Sequence, residues 1–306
     1  MRAAIALGLC LSAVACGGDD DAGALDAGAR DSGAAVDSSV PTDAPALDGP
    51  ARDAGSPDAG SAADAGATLG DRAPVFDGTS GYVEIADDDA FSQPTYDALT
   101  VEAWIRPDSL SMTEREGSGY VHWMGKGQSG AHEWVARMYQ EGNSEDRANR
   151  ISFYSFNLSG GLGAGSYFED DITAGDWIHY VGAFDDTRTY IFRDGVERDS
   201  DLLSGYDIVP ENGSAPVRIG TRDTNSFFEG SIARVAIYGT RLTEAQVAAH
   251  RAAIETYDAV VLAEPSLVAY YPLDEIGGTI AHDVVGGRDG EYVGGVAVGG
   301  TAWLGP

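Results

Sequence analysis

From about residue 72 onward, short runs of Val, Ile, Tyr, Phe and Trp alternate with clusters of Gly, Asp, Asn and Pro, and the runs recur every 8 to 15 residues. That rhythm predicts β-strands over 82–86, 99–106, 120–124, 134–139, 150–156, 177–184, 189–193, 216–219 and 231–238. In 99–106, Val101, Ala103 and Ile105 alternate with Glu102, Trp104 and Arg106, the period of an antiparallel strand with one buried face. Ile232, Val235 and Ile237 repeat in the same way, with an irregularity at Ala233-Arg234. Asp194-Gly195 between two such runs predicts a type I′ hairpin, whose two central residues need positive φ. Only 243–254 has a helical period: Thr243 is the expected N-cap, Gln246 completes a capping box, and Val247 and Ile254 share a face. The pattern predicts an all-β fold, a two-sheet antiparallel jelly-roll sandwich with one short helix.

Before residue 72 the pattern changes. Met1, Arg2, the apolar run 3–11 and the small residues Ser12 to Ala15 predict a signal peptide over 1–15, too short to span a bilayer. Both cysteines, Cys10 and Cys16, fall here, so no disulfide is expected in the folded region. Leu11-Ser12-Ala13-Val14-Ala15-Cys16 resembles a bacterial lipobox. The resemblance implies cleavage before Cys16, lipidation of its thiol and anchoring at the bacterial outer membrane or cell surface, although Ala13-Val14-Ala15 also fits ordinary signal peptidase. Residues 16–72 are rich in Ala, Gly, Asp, Ser and Pro without an aromatic residue, and are expected to form a disordered acidic tether. Asp-Ala-Gly recurs at Asp21, Asp26, Asp53, Asp58 and Asp64, but no position of the repeat offers a hydrophobic face to stack.

Charge narrows the partners. The chain has 49 acidic and 19 basic side chains, a net charge of −30, which excludes nucleic-acid binding driven by phosphate neutralisation. There is no His-Glu-x-x-His, Gly-x-Ser-x-Gly or phosphate loop, and the five histidines are scattered. The nearest approach to paired carboxylates is Glu197-Arg198-Asp199-Ser200-Asp201, where alternation would place all three acids on one strand face. A solvent-exposed strand explains it better, and the sequence reads as non-enzymatic.

Val75-Phe76-Asp77-Gly78-Thr79-Ser80-Gly81-Tyr82-Val83-Glu84-Ile85, Leu99-Thr100-Val101-Glu102-Ala103-Trp104-Ile105, Trp177-Ile178-His179-Tyr180-Val181-Gly182, Val217-Arg218-Ile219-Gly220 and Gly230-Ser231-Ile232-Ala233-Arg234-Val235-Ala236-Ile237-Tyr238 occur in that order. Together they resemble the laminin-G-like jelly-roll domains of the concanavalin A-like lectin/glucanase superfamily, over about residues 74–250. The resemblance implies a monomeric, non-catalytic module that binds a glycan or a glycosylated surface partner. The alternatives are protein adhesion or envelope assembly, and, less favoured, glucan hydrolysis. The family often holds a calcium ion at the sandwich edge, yet Gly81, Ala233 and Arg234 stand where oxygen ligands are usual. The oxygens left for a structural calcium are Asp77, Asp283 and Asp289. Trp104 and Trp177 are expected in the core. Among the rings between residues 119 and 156, which either fill the core or face a sugar, Trp123, Trp134, Tyr139 and Tyr154 are the candidate ligand contacts.

Leu267-Val268-Ala269-Tyr270-Tyr271-Pro272-Leu273-Asp274-Glu275 and the segments after it resemble the beginning of the same family, although they come last. The folded region is therefore read as 73–306. Its main part is 73–254, and 265–306 either completes the sandwich, a circular permutation in effect, or forms a truncated second copy. Completion requires 267–273 to pair with 232–238, and Val296 to approach Val75-Phe76.

Overall fold

The computed structural model describes residues 72–115, 117–141 and 147–302. The signal peptide, Cys16 and the tether up to residue 71 lie outside the described residues. Strands β1 (Arg72–Asp77) and β2 (Tyr82–Ile85) precede two short 3-10 turns, Asp89–Phe91 and Gln93–Thr95. Then come β3 (Ala98–Pro107), β4 (Thr113–Glu114), β5 (Tyr120–Gln128), β6 (Ala131–Tyr139), β7 (Arg150–Ser155) and β8 (Ala164–Glu169). The middle of the chain forms β9 (Ile178–Asp185), β10 (Arg188–Arg193), β11 (Val196–Leu202), β12 (Val217–Ile219), β13 (Ser226–Phe227) and β14 (Glu229–Tyr238). Helices α1 (Glu244–Ala252) and α2 (Tyr257–Leu262) follow, and then β15 (Leu267–Tyr271), β16 (Ile280–Ala281), β17 (Gly290–Val293) and β18 (Val296–Ala302).

Apart from β4 and β13, which pair only with each other, these strands make two antiparallel sheets packed as a jelly-roll sandwich. The first runs β11-β10-β9-β3-β14-β1-β18, with β15 also on β14; the second runs β16-β17-β2-β12-β5-β6-β7-β8. Their inner faces bury Val101, Ile105, Ile232 and Ile237 from the first sheet against Val83, Trp123, Trp134 and Phe153 from the second. At the hairpin between β10 and β11, Asp194 and Gly195 have φ of 51° and 86°, the backbone of a type I′ turn.

The C-terminal strands belong to these same sheets. Tyr271 stands opposite Val235 and Ala269 opposite Ile237, while Ala297 stands opposite Val75 and Val296 opposite Phe76. The irregularity at Ala233-Arg234 makes this possible: Arg234 adopts φ of 52°, and the register of β14 shifts there. One edge of β14 is thereby divided, its first residues pairing with β1 and its last with β15.

Three local expectations change. The outer face of β3 is not solvated: Trp104 is enclosed with Val181, Phe192, Tyr238 and Tyr257 beneath Val247 of α1 and Val261 of α2. Among the described residues there are two α-helices instead of one, because a six-residue run such as Tyr257–Leu262 is under two turns long and shows no readable helical period. Helix α1 starts at the expected capping box, with Gln246 N donating to Thr243 Oγ1 at 3.3 Å and Thr243 N donating to Gln246 Oε1 at 3.1 Å. In β11 a bulge puts Glu197 opposite Phe192, whose ring lies in the outer cluster, and Asp199 opposite Ile191, whose side chain lies in the inner core. The two carboxylates thus point to opposite faces, and of the expected row of three acids only Asp199 and Asp201 keep a common face.

Candidate functional site

The register of the second sheet places two rows of side chains on its outer face. One row is His122, Arg137, Ser152 and Tyr167; the next is Gly125, Val135, Tyr154 and Gly165. Residues directly opposite in antiparallel strands share a face, and alternate residues return to it. A bulge between His122 and Met124 turns both Trp123 and Met124 inward.

Three predicted ligand contacts are therefore corrected. Trp123 and Trp134 are fully enclosed in the core, where Trp123 packs edge-on to Tyr180 at 4.7 Å and Trp134 Nε1 donates to the Phe91 carbonyl at 2.9 Å. Tyr139 is buried against Tyr120 in an edge-to-face pair at 4.6 Å. Of the two predicted core tryptophans, Trp104 is buried and Trp177 is partly exposed beneath Arg106.

Tyr154 does lie on the outer face and is partly exposed. The Arg137 guanidinium sits between two rings, 3.8 Å from the centre of Tyr154 and 3.7 Å from that of Tyr120. Tyr167, which the sequence did not single out, is 40% exposed on β8, with the Arg150 guanidinium 3.9 Å from its ring centre. Arg150 Nε donates in turn to Glu169 Oε1 at 2.6 Å. Directly opposite Tyr154 on β8, Gly165 has a steric role, since a Cβ there would lie 2.2 Å from the Tyr154 ring. Its absence lets the ring lie across the neighbouring strand. Tyr154 and Tyr167 are diagonal neighbours, roughly 7 to 8 Å apart by strand geometry. The result is a two-ring platform braced by two arginines.

Beside it, His122 Nδ1 lies 3.5 Å from Asp223 Oδ2, which accepts from Arg222 Nη2 at 2.6 Å. Burial, and then the charge of Arg222, push the His122 ring down to about 4, so it is neutral at pH 7 and its contact with Asp223 is not an ion pair. Burial alone would raise Asp223, but His122 and Arg222 outweigh it and hold the carboxyl below its usual range.

The predicted calcium ligands do not converge. Asp77 closes the turn after β1: its Oδ1 accepts from the backbone nitrogens of Thr79, Ser80 and Gly81 at 2.8 to 2.9 Å, and its Oδ2 from the Thr79 and Ser80 hydroxyls. Asp283 accepts from the nitrogens of Tyr270, Val285 and Arg288, and Asp289 from that of Asp283. Their oxygens meet nearby backbone and side-chain donors, and among the described residues no group of three or more His, Cys, Asp or Glu side chains is placed to hold a metal ion.

A second polar cluster lies under the helices. Glu102 is fully buried, and its oxygens meet His179 Nε2 at 2.7 Å, the Tyr238 hydroxyl at 2.7 Å and His250 Nδ1 at 2.9 Å. A glutamate in the middle of an apolar strand was the readable signal, but its partners come from β9, β14 and α1.

No curated protein sequence matches this chain. Among solved structures, a candidate carbohydrate-binding protein from Bacteroides ovatus superposes with a TM-score of 0.52 at 17% identity, over 77% of this chain and 62% of that one. A heptameric pentraxin from Limulus polyphemus gives 0.44 at 14% identity, over 60% and 82% of the respective chains. Domain 4 of an extracellular arabinanase from Geobacillus stearothermophilus, solved with arabinotriose, gives 0.40 at 19% identity, over 58% and 75%. At 17% identity the first of these likenesses speaks to fold alone. Residues 77–248, more than half of the chain, match the family model of the concanavalin A-like lectin/glucanases superfamily, and the chain belongs to that superfamily.

Proposed function

We propose that this protein is an exported, lipid-anchored surface protein whose sandwich binds neutral glycans through Tyr154 and Tyr167 and does not cleave them. The observation that carries the reading is the ring platform: two outward tyrosines on adjacent strands, each with an arginine stacked on one face, and a glycine opposite Tyr154. A sugar ring presents C–H groups to an aromatic face, and the arginine beneath fixes that face. Superfamily membership supports the reading, as does the carbohydrate-binding description of the Bacteroides ovatus fold neighbour. The net charge of −30 favours neutral over anionic glycans. The absence of cleavage is argued from β11, where the bulge takes Glu197 off the face that Asp199 shares with Asp201, so the three acids do not line one cleft.

Calorimetric titration with neutral oligosaccharides tests this. Wild type is expected to bind weakly, and Tyr167→Ala to bind about three- to tenfold more weakly still, the equivalent of one ring contact. A flat titration with every neutral glycan would remove the reading and favour adhesion to protein. Release of reducing ends over time would make the protein a hydrolase.

A further inference from the structure

Lys126 is the one lysine among 306 residues, alongside 18 arginines. It is fully buried, on the inner face of the second sheet. Its row runs Ile85, Val217, Lys126, Trp134, Ser155 and Ala164 across six strands, otherwise apolar except for Ser155. The segment 87–95 closes the sandwich over this row. Trp134 donates to the Phe91 carbonyl, the Ser155 hydroxyl to Gln93 Oε1 at 2.7 Å, and Lys126 Nζ lies 2.7 Å from Asp87 Oδ1.

The other two donors of the ammonium are also used. Nζ lies 2.5 Å from Glu133 Oε1 and 2.8 Å from the Gly213 carbonyl oxygen. Gly213 N donates back to Glu133 Oε1 at 3.0 Å, and the Asn212 side chain bridges Asp89 and Ser92. Three hydrogens therefore meet three oxygens from three separate segments. An arginine could not replace this lysine, because a planar fork cannot aim its donors at oxygens that converge on one point. Glu133 Oε2 is also buried. Burial pushes the Glu133 carboxyl above its usual range, and the ammonium opposes that rise.

We propose that Asp87, Glu133 and the Gly213 carbonyl form a cation site that this chain fills with its own ammonium, so that this end of the sandwich is closed without a metal ion. Carboxylate and carbonyl oxygens converging on one point are the donor set of a hard divalent cation such as calcium. Here Lys126 takes that place, and the site accepts calcium only when the ammonium is removed.

Thermal melting of the full chain in EDTA and in about 5 mM calcium chloride tests the proposal, that concentration being enough to load even a weak oxygen site. The wild-type midpoint is expected to be the same in both. Lys126→Met is expected to melt about 10 °C lower in EDTA, as for a broken buried ion pair, and to recover at least half of the loss in calcium. Lys126→Met combined with Glu133→Gln should fold in EDTA and gain nothing from calcium. Should Lys126→Met not fold in EDTA, refolding it in calcium is the expected rescue. In the wild type, an amine-reactive ester read out by mass spectrometry should leave Lys126 unmodified until the protein unfolds, with or without EDTA. Calcium-dependent melting of the wild type, acylation of Lys126 in the folded state, or a Lys126→Met variant indifferent to calcium would each overturn the proposal.

Discussion

His122 and His250 are both buried histidines, yet they titrate in opposite directions. His122 stands beside Arg222 and Arg137 in a buried site, and its folded value of about 4 lies below the ordinary 6.5. As the pH falls below about 6.5, the unfolded chain takes up the proton first, and stability is lost until the pH reaches about 4, by roughly 3 kcal/mol in full. Asp223, held below its usual range, adds a loss in the same direction at still lower pH. Burial alone would lower His250, but its hydrogen bond to Glu102 prevails and raises it. Its contribution is complete below the ordinary value and fades as the pH rises through the raised one. Urea midpoints are therefore expected to peak near neutrality, and His122→Gln should flatten the fall between pH 7 and 4.5. An unchanged acid limb in that variant would mean that His122 is not the group responsible. The histidines were visible in the sequence, but the sign of each shift comes from neighbours such as Arg222, 100 positions away.

At the level of elements, α1 and α2 are fastened to the first sheet by apolar cover and by Glu102 together. Glu102 binds side chains of β9, β14 and α1 at once, so removing it leaves His179, Tyr238 and His250 buried beside a void. Glu102→Ala is expected to cost about 3 to 5 kcal/mol, and amide exchange should quicken first in α1. A variant that melts within a degree of wild type, with α1 still protected, would show that apolar cover alone holds the helices. The start of α1 was legible, since a capping box is local chemistry between Thr243 and Gln246. Its landing place was not, because a strand showing Glu, Trp and Arg on its second face looks solvated until a helix covers it.

The charge of the whole molecule divides unevenly: residues 1–18 carry +1, 19–72 carry −9 (3 Arg minus 12 Asp) and 73–306 carry −22, which sum to −30. Among the described residues no helix is long and apolar enough to cross a membrane. The proposed anchor, the lipid on Cys16, is motivated by the segment Leu11 to Cys16. Cys16→Ser is expected to move the protein from the membrane to the soluble fraction, read by fractionation and by the mass of the N-terminal peptide. Wild type recovered in the soluble fraction with an unmodified cysteine would end the lipoprotein reading.

What the sequence by itself determined were features written in neighbouring residues. They are the strand periods, the Asp194-Gly195 turn, the capping box, the break at Ala233-Arg234 and the order of segments that marks the superfamily. Even the return of 267–273 to the edge of β14 was legible, because an unpaired strand edge and a leftover strand suit each other. Tertiary structure alone decided which face each ring and charge occupies. A one-residue bulge at His122–Met124 turned Met124 into the core alongside Trp123, and another in β11 split Glu197 from Asp199. Side-chain direction alternates with every residue, so a single inserted position reverses it, and no local pattern records where partner strands impose that insertion. The platform of Tyr154 and Tyr167 and the cage around Lys126 are assembled by pairings between distant segments, which is why composition and spacing did not reveal them.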